Sequence, residues 1–407
     1  MAPYESDDVT TTGEADDLRA GRRRAVRYVV PVTVVGVAAA TIGLVPALAD
    51  SGDPDLPKIS AQQLIEKIAE SDVQQLSGTV KISTDLGLPD LGGLESGLLS
   101  GATRGSGDGS SADPSTKLTE LASGTHTLRV AADGPDKQKL SLLENAAEYS
   151  IIHNGKDVWG YDSKSNEVYH GTADEGTGES GKEDMPTTPK DLTEEALKSV
   201  DDTTSVTVDG TAQVAGRDAY KLVIKPKQSG TTVGAISVAV DAKTGLPLKF
   251  TLTPASGGAA VVDAGFTQIS FAKPAASTFD FTPPKGAKVT EEDSSAAEEH
   301  FQKSEEGRKA QEDFAKGAEG LDGLNVIGKG WTSIATFDTG GEGVPSGSDV
   351  GGDLGGFLGS LGDKVSGKFG SGTVFSTRLV NALITDDGKV YVGAVTKDAL
   401  VKAANAG

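Results

Sequence analysis

The chain has no cysteine. That excludes a disulfide framework, a thiolate metal site and an N-terminal lipid-modified cysteine, and it leaves the redox compartment undetermined. Aromatic residues make up 5% of the 407 positions, against 53 glycines. A chain so poor in large apolar rings and so rich in glycine is expected to be loop over much of its length, with one substantial core and long connectors. Positive charge is also scarce: 38 Lys and Arg stand against 59 Asp and Glu, a net charge of −21. A chain of that sign is repelled by a phosphate backbone, so nucleic acid is excluded as a partner. The charge suits an exported protein that must stay soluble.

Catalytic groups are missing as well. The four histidines, His126, His153, His170 and His300, sit in different segments, and none pairs with another at metal-ligand spacing. They read as exposed or strand-edge residues, with no metal site. There is no G-x-S-x-G elbow, no H-E-x-x-H and no phosphate-binding loop. Acidic residues fall in loops, where two carboxylates are hard to hold at a fixed separation. Asp162, Asp241 and Asp263 read as turn residues. The chain is not expected to be an enzyme, and no cofactor is implied.

One long apolar run is present, Val29 to Ala49, and it follows Arg19, Arg22, Arg23, Arg24 and Arg27. The basic flank places residues 1–28, a polar and disordered tail, in the cytoplasm, and everything after Asp50 outside. Ala47-Leu48-Ala49 fits a cleavage signal, and a run of roughly 20 residues also fits a transmembrane anchor. Both readings stay open. Either way the protein is extracytoplasmic, anchored by residues 29–49 or secreted after cleavage near Ala49.

Beyond a linker, Ser60 and Gln63 form a capping box that opens a helix with an apolar stripe of Leu64, Ile65 and Ile68. Residues 76–83 read as the first strand. Between it and the next strand lies DLGLPDLGGLESGLLS, residues 85–100, where Leu88, Leu91, Leu94 and Leu98 stand among glycines. These leucines either fill a gap in the core or form a lid over a hydrophobic hollow. Short strands follow at 125–131, 138–143 and 148–153. A hairpin pairs 158–161 with 167–170, and a second helix is expected at 191–200, capped by Asp191 with Glu194.

The best-patterned stretch is 216–289, four antiparallel strands in succession. Tyr220, Leu222 and Ile224, then Ile236, Val238 and Val240, then Leu248, Phe250 and Leu252 give one apolar face. Gly245 supplies the turn between the second and third strands, and Pro283-Pro284 ends pairing. Residues 291–320 form a charged linker. The C-terminal extension, 321–407, is expected to hold a strand at 331–337, a glycine-rich gap at 340–372, a hairpin of 375–385 with 390–395 across Asp386-Asp387-Gly388, and a terminal helix. Three strands and one helix are few for a separate core, so docking on the main sheet and forming a small module both stay open.

Strands at close spacing interrupted by helices define an α+β protein with a large antiparallel sheet, which curls because strand twist accumulates. Leu222, Ile224, Val238, Val240, Phe250 and Leu252 then either wall a hydrophobic ligand site or pack against the helices. Holding an acyl chain requires a continuous apolar surface, since each buried CH₂ is worth roughly 0.8 kcal/mol.

In their order, Leu76-Ser77-Gly78, Val158-Trp159-Gly160-Tyr161, Tyr220 to Lys227, Val238 to Asp241, Gly245 to Leu252 and Phe279-Asp280-Phe281-Thr282-Pro283-Pro284-Lys285-Gly286-Ala287 resemble the LolA-like superfamily. That group contains lipoprotein carriers, RseB-type sigma-factor regulators and LppX-type lipid-binding proteins. The resemblance covers residues 55–290. It implies a curved antiparallel half-barrel with helices covering the concave face. It also implies a lipid or acylated lipoprotein as ligand, and a role as carrier or chaperone at the cytoplasmic membrane. An alternative within it is an RseB-like sensor that contacts a membrane-bound anti-sigma factor.

Overall fold

The structure, a computed structural model, describes residues 54–87, 112, 114, 117, 121, 123–172, 188–291, 325–338 and 362–406. Val29 to Ala49, His300 and the leucines Leu88, Leu91, Leu94 and Leu98 lie outside these residues. Among the described residues, no helix is long and apolar enough to cross a membrane.

The first element among the described residues is helix α1, Ala61–Ala69. Its capping box is the expected one: the Ser60 hydroxyl accepts the Gln63 amide at 3.2 Å, and the Gln63 side chain accepts the Ser60 amide at 2.9 Å. Six strands follow, β1 Gln75–Thr84, β2 Gly124–Asp133, β3 Lys137–Glu144, β4 Ala147–Asn154, β5 Asp157–Asp162 and β6 Glu167–Thr172. Helix α2, Pro189–Lys198, comes next. Its cap lies three residues before the expected one: Thr188 and Asp191 form the box, with Pro189 in the first turn, where its missing amide costs nothing. The meander β7 Thr204–Val214, β8 Arg217–Pro226, β9 Val233–Asp241, β10 Pro247–Pro254 and β11 Val262–Ser270 completes the set, with a short edge strand β12, Lys288–Glu291.

All twelve strands join one open sheet in the order β12-β6-β5-β4-β3-β2-β1-β11-β10-β9-β8-β7. Every pair is antiparallel except β12 with β6, which run parallel. The double proline ends neither a strand nor the sheet: β11 stops at Ser270, well before it, and four residues beyond Ala287 pair again. Asp263 is also placed differently from its expected turn: it lies within β11 and forms an ion pair with Lys249 on β10 at 3.0 Å.

The register lines up one apolar face across the sheet. Leu222, Val238, Phe250, Ala264 and Ile82 are successive cross-strand partners from β8 to β1. A second row runs Phe266, Val80, Leu128, Leu142 and Tyr149 from β11 to β4. Glycine permits two close approaches on this face. A Cβ at Gly78 would meet the Phe266 ring, and one at Gly160 would collide with the Ala112 carbonyl. That carbonyl accepts the Tyr149 hydroxyl at 2.9 Å.

The C-terminal residues build a second, six-stranded sheet, ordered β13 Asn325–Ile327, β14 Ile334–Asp338, β18 Lys389–Gly393, β17 Asn381–Thr385, β16 Gly370–Ser376 and β15 Asp363–Gly367, with helix α3, Lys397–Ala404. Two of its strands fall wholly or partly in the stretch expected to be a glycine-rich gap. The expected strand 375–385 divides into β16 and β17 at a turn, where Thr377 and Val380 bond to one another. The hairpin across 386–388 forms as expected.

This sheet has a core of its own, with Leu383, Val395 and Leu400 fully buried. It also docks on the first sheet. Thr231 and Val395 form a bridge, the Thr232 amide donates to Ala394 at 3.0 Å, and the Thr396 amide donates to Gly230 at 2.8 Å.

Candidate functional site

The six residues expected to form an apolar wall do share one face. Leu222, Ile224, Val238 and Val240 are fully buried and Phe250 is 4% exposed, while Leu252 is half-buried. They lie in one cluster with Leu64 and Ile68 of α1 and Ala196 of α2. Helix α1 rests on β7 and β8, and α2 on β9, β10 and β11. The helical stripe needs an apolar partner, and this half of the sheet supplies it. A Cβ at Gly245, whose φ is +77°, would collide with the Lys67 carbonyl, so the β9–β10 turn sits directly under the end of α1.

The same face continues past the helices. Leu192 of α2 touches both the β7–β10 cluster and the cluster built on β1–β4, so it stands between the two halves. On the second half, Val80, Leu128, Leu142 and Tyr149 are buried with Ala112 and Leu121. The next row, Val130, Leu140, Ile151 and Tyr169, is cross-strand paired through Gly160 and only half-buried. Neither α1 nor α2 covers it, although Ala112 lies against Gly160 within it. The sequence reading did not single out these four residues, although the alternations Leu140/Leu142 and Tyr149/Ile151 carry the signal. Two places along β4 from Ile151, His153 has a buried Nε2 with no hydrogen-bond partner. An orphan polar atom of this kind is uncommon in folded proteins.

The strand end where the leucine-rich insertion departs is held from the second sheet. Arg378, in the β16–β17 turn, donates its amide to Leu86 at 2.8 Å and its guanidinium to the Asp85 carboxylate at 2.5 Å and carbonyl at 3.2 Å. The guanidinium also reaches the Ala259 carbonyl.

The opposite face is of another character. A cavity of about 450 Å³ there is lined by Ser77, Thr79, Arg129, Lys139, Ser141 and Gln268 among others. Val130, Ala131 and Ile269 also line it, so its wall is mixed where the other face is apolar.

Two acidic residues act as structural groups. The Asp241 carboxylate accepts the Lys243 and Thr244 amides, at 3.0 and 2.7 Å, as a turn residue should. It also accepts Nη2 of Arg217 at 3.0 Å. Burial pushes this carboxyl up, but Arg217 and Thr244 pull it further down, and the result lies below the usual carboxylate value. The Asp162 carboxylate accepts the Lys164 amide at 2.8 Å. Among the described residues no cluster of His, Asp and Glu has the arrangement of a metal site. His126 donates from Nε2 to the Ser123 carbonyl at 2.6 Å. His170 departs from the expected bland role, because its ring is held between two carboxylates.

No protein-family model and no curated protein sequence matches the chain. Among solved structures, it is similar to the complex of Pseudomonas aeruginosa MucA/MucB, with 14% identity over 84% of this chain and 96% of that one and a TM-score of 0.37. It is similar to an uncharacterized conserved protein from Thermus thermophilus, with 13% identity over 57% and 98% of the two chains and a TM-score of 0.30. A LolA superfamily protein from Nitrosomonas europaea is similar at 12% identity over 55% and 99%, with a TM-score of 0.22.

Proposed function

We propose that the chain is an extracytoplasmic lipid-binding protein that holds acyl chains against the apolar face of its large sheet. The observation that carries this reading is the continuity of that face. It runs from the helix-covered strands β7–β10 into the half-buried row Val130, Leu140, Ile151 and Tyr169, which neither α1 nor α2 covers. An apolar row that is left half-exposed beside a core is a surface to which an alkyl chain adds favourably, at about 25 cal/mol per Å² removed from water. The wall residues under α1 and α2 then act as the floor on which the helices sit, and the ligand contacts shift towards β2–β6.

The test is to express the full chain in an exporting host, extract the purified protein with solvent and identify bound lipid by mass spectrometry. Wild type should carry lipid, and Ile151→Asp should keep its circular dichroism and lose it. Empty wild-type protein that gains no thermal stability from added lipid overturns the reading.

A second reading, a sensor that reports ligand to a membrane-bound anti-sigma factor, is favoured by Arg378. This residue joins the second sheet to the strand end at Asp85 and Leu86. Capture of an anti-sigma protein from membranes by wild type, with loss of capture in Arg378→Ala, supports it. Equal capture by both overturns it.

A further inference from the structure

Among the described strands of the first sheet, β12 is the only parallel member and the shortest, and four residue pairs with β6 hold it, Lys288 with Glu167 through Glu291 with His170. So short an edge strand needs side-chain support. His170 provides it. Its Nδ1 lies 2.6 Å from Oε2 of Glu291 on β12, and its Nε2 lies 3.0 Å from Oδ1 of Asp157 on β5. The ring is stacked on Trp159, with centroids 3.7 Å apart and planes at 11°. Trp159 and Tyr161 in turn carry Phe281, from the segment that crosses to β12.

The geometry fixes the protonation state. A neutral imidazole has one N–H, so one of its nitrogens would face a carboxylate oxygen lone pair to lone pair. Only imidazolium donates on both sides, and a cation is also the form that gains from the face of an indole. The other charged groups on these strands are Lys288 of β12 and Glu167 of β6, which pair with each other at 3.3 Å, and Asp162 at the other end of β5, 3.9 Å from Lys117, with Lys156 beside Asp157. Phe281 and Trp159, which pack against the ring region, carry no charge.

We propose that His170 is a proton-operated latch: protonated, it ties β12 to β5 and β6, and on losing its proton it releases Glu291 and frees the β6 edge. The direction of its titration agrees. Burial of the ring presses its pKa down, while Asp157 and Glu291 press it up, and the sum lies above the ordinary value of 6.5. A raised folded-state value means that the latch contributes in full below the unfolded-state pKa and is lost as pH rises through the folded-state one. The latch is thus closed below the ordinary value of 6.5 and opens as pH rises through the higher folded-state one. Loss of β12 leaves β6, Glu167–Thr172, as a free sheet edge, the kind of surface to which another extended chain adds.

The test is hydrogen exchange of the amides of residues 288–291 and 167–172 in the full chain between pH 5 and 9, corrected for base-catalysed intrinsic exchange. Histidine NMR of the same samples follows the His170 titration. Protection in wild type should fall about tenfold, the equivalent of one charge-assisted hydrogen bond, along the His170 titration curve. His170→Gln should show low protection with no pH step, and His170→Lys should keep protection at high pH. Three results overturn the latch: a pH-independent protection while His170 titrates, a His170 value at or below 6.5, or an unchanged step in His170→Gln.

Discussion

The indole Nε1 of Trp331 donates to the hydroxyl of Thr204 at 2.8 Å, across 127 residues of sequence. Thr204 begins β7, and Trp331 precedes β14 of the second sheet, so one hydrogen bond joins the outermost strand of the first sheet to the second. Gln228 reinforces it, accepting the Trp331 amide and donating to the Lys329 carbonyl, each at 3.0 Å. Trp331 also packs on the cluster under α1 and α2. Trp331→Phe keeps most of the packing and removes the bond, so it should cost about 1 kcal/mol. Exchange protection should fall first in β13 and β14. Equal protection in both proteins would show that the other contacts between the sheets, those of Thr231, Thr232, Thr396, Gln228 and Arg378, carry the docking without this bond.

The pair of Arg217 and Asp241 predicts behaviour in acid. The Asp241 side chain is 1% exposed and Arg217 25% exposed, and the guanidinium also lies 4.5 Å from the centre of the Phe271 ring. With its folded-state pKa held below the ordinary carboxylate value, Asp241 contributes stability above the unfolded value of 3.8, and that contribution is lost as pH falls through the folded one. Arg217→Ala should destabilise the protein at neutral pH by about 2 kcal/mol. That is less than the roughly 3–5 kcal/mol for fully buried pairs, because water reaches the arginine side. The gap between the two proteins should close as pH is lowered into the acid range. Urea midpoints measured from pH 7 to pH 2 check this, and a gap that widens in acid would count against it.

Much of the first sheet was legible because alternation is a local signal. Tyr220, Leu222 and Ile224 announce β8 within five residues, and Ser60 with Gln63 announces α1 within three. What the sequence hid is non-local. Strand β12 pairs with β6 across 121 residues, as Glu291 with His170 shows, and nothing near Lys288 marks its partner. The second sheet hid behind Gly362, Gly367 and Gly372, which read as loop but are places where a Cβ would meet Thr373, Asn405 or the Ile384 carbonyl. The cap of α2 was legible in Thr188-Pro189-Lys190-Asp191, yet Asp191 with Glu194 offered the same spacing one turn later. The apolar face was visible residue by residue. Which half of it the helices would cover was not, because α1 and α2 choose their strands through tertiary packing.

Gly245 offers a stability test of that helix placement. Its φ of +77° costs an alanine about 1–2 kcal/mol, and the new Cβ would also strike the Lys67 carbonyl at the end of α1. Gly245→Ala should therefore cost more than the backbone strain alone. Gly216→Ala, at φ +74° with open space around the Cβ, supplies the comparison. If thermal denaturation gives the two variants equal losses, α1 does not press on the β9–β10 turn.

The two halves of the apolar face separate core from ligand surface most directly. Phe250 is 4% exposed, beneath the helices, whereas Leu140 sits half-buried on β3 in the row that α1 and α2 leave free. An aspartate at position 250 has no cation among the residues of its cluster, Leu64, Ile68, Ala196, Leu222 and Val238 included. An uncompensated buried charge of this kind costs roughly 3–5 kcal/mol. Phe250→Asp should then be unfolded or close to it, by circular dichroism and by loss of the cooperative melt. Leu140→Asp can turn its carboxylate to water, so it should fold, melt within a few degrees of wild type and retain less lipid. A folded Phe250→Asp that has lost lipid would move the binding surface under α1 and α2, and a Leu140→Asp that retains lipid in full would remove β3 from it.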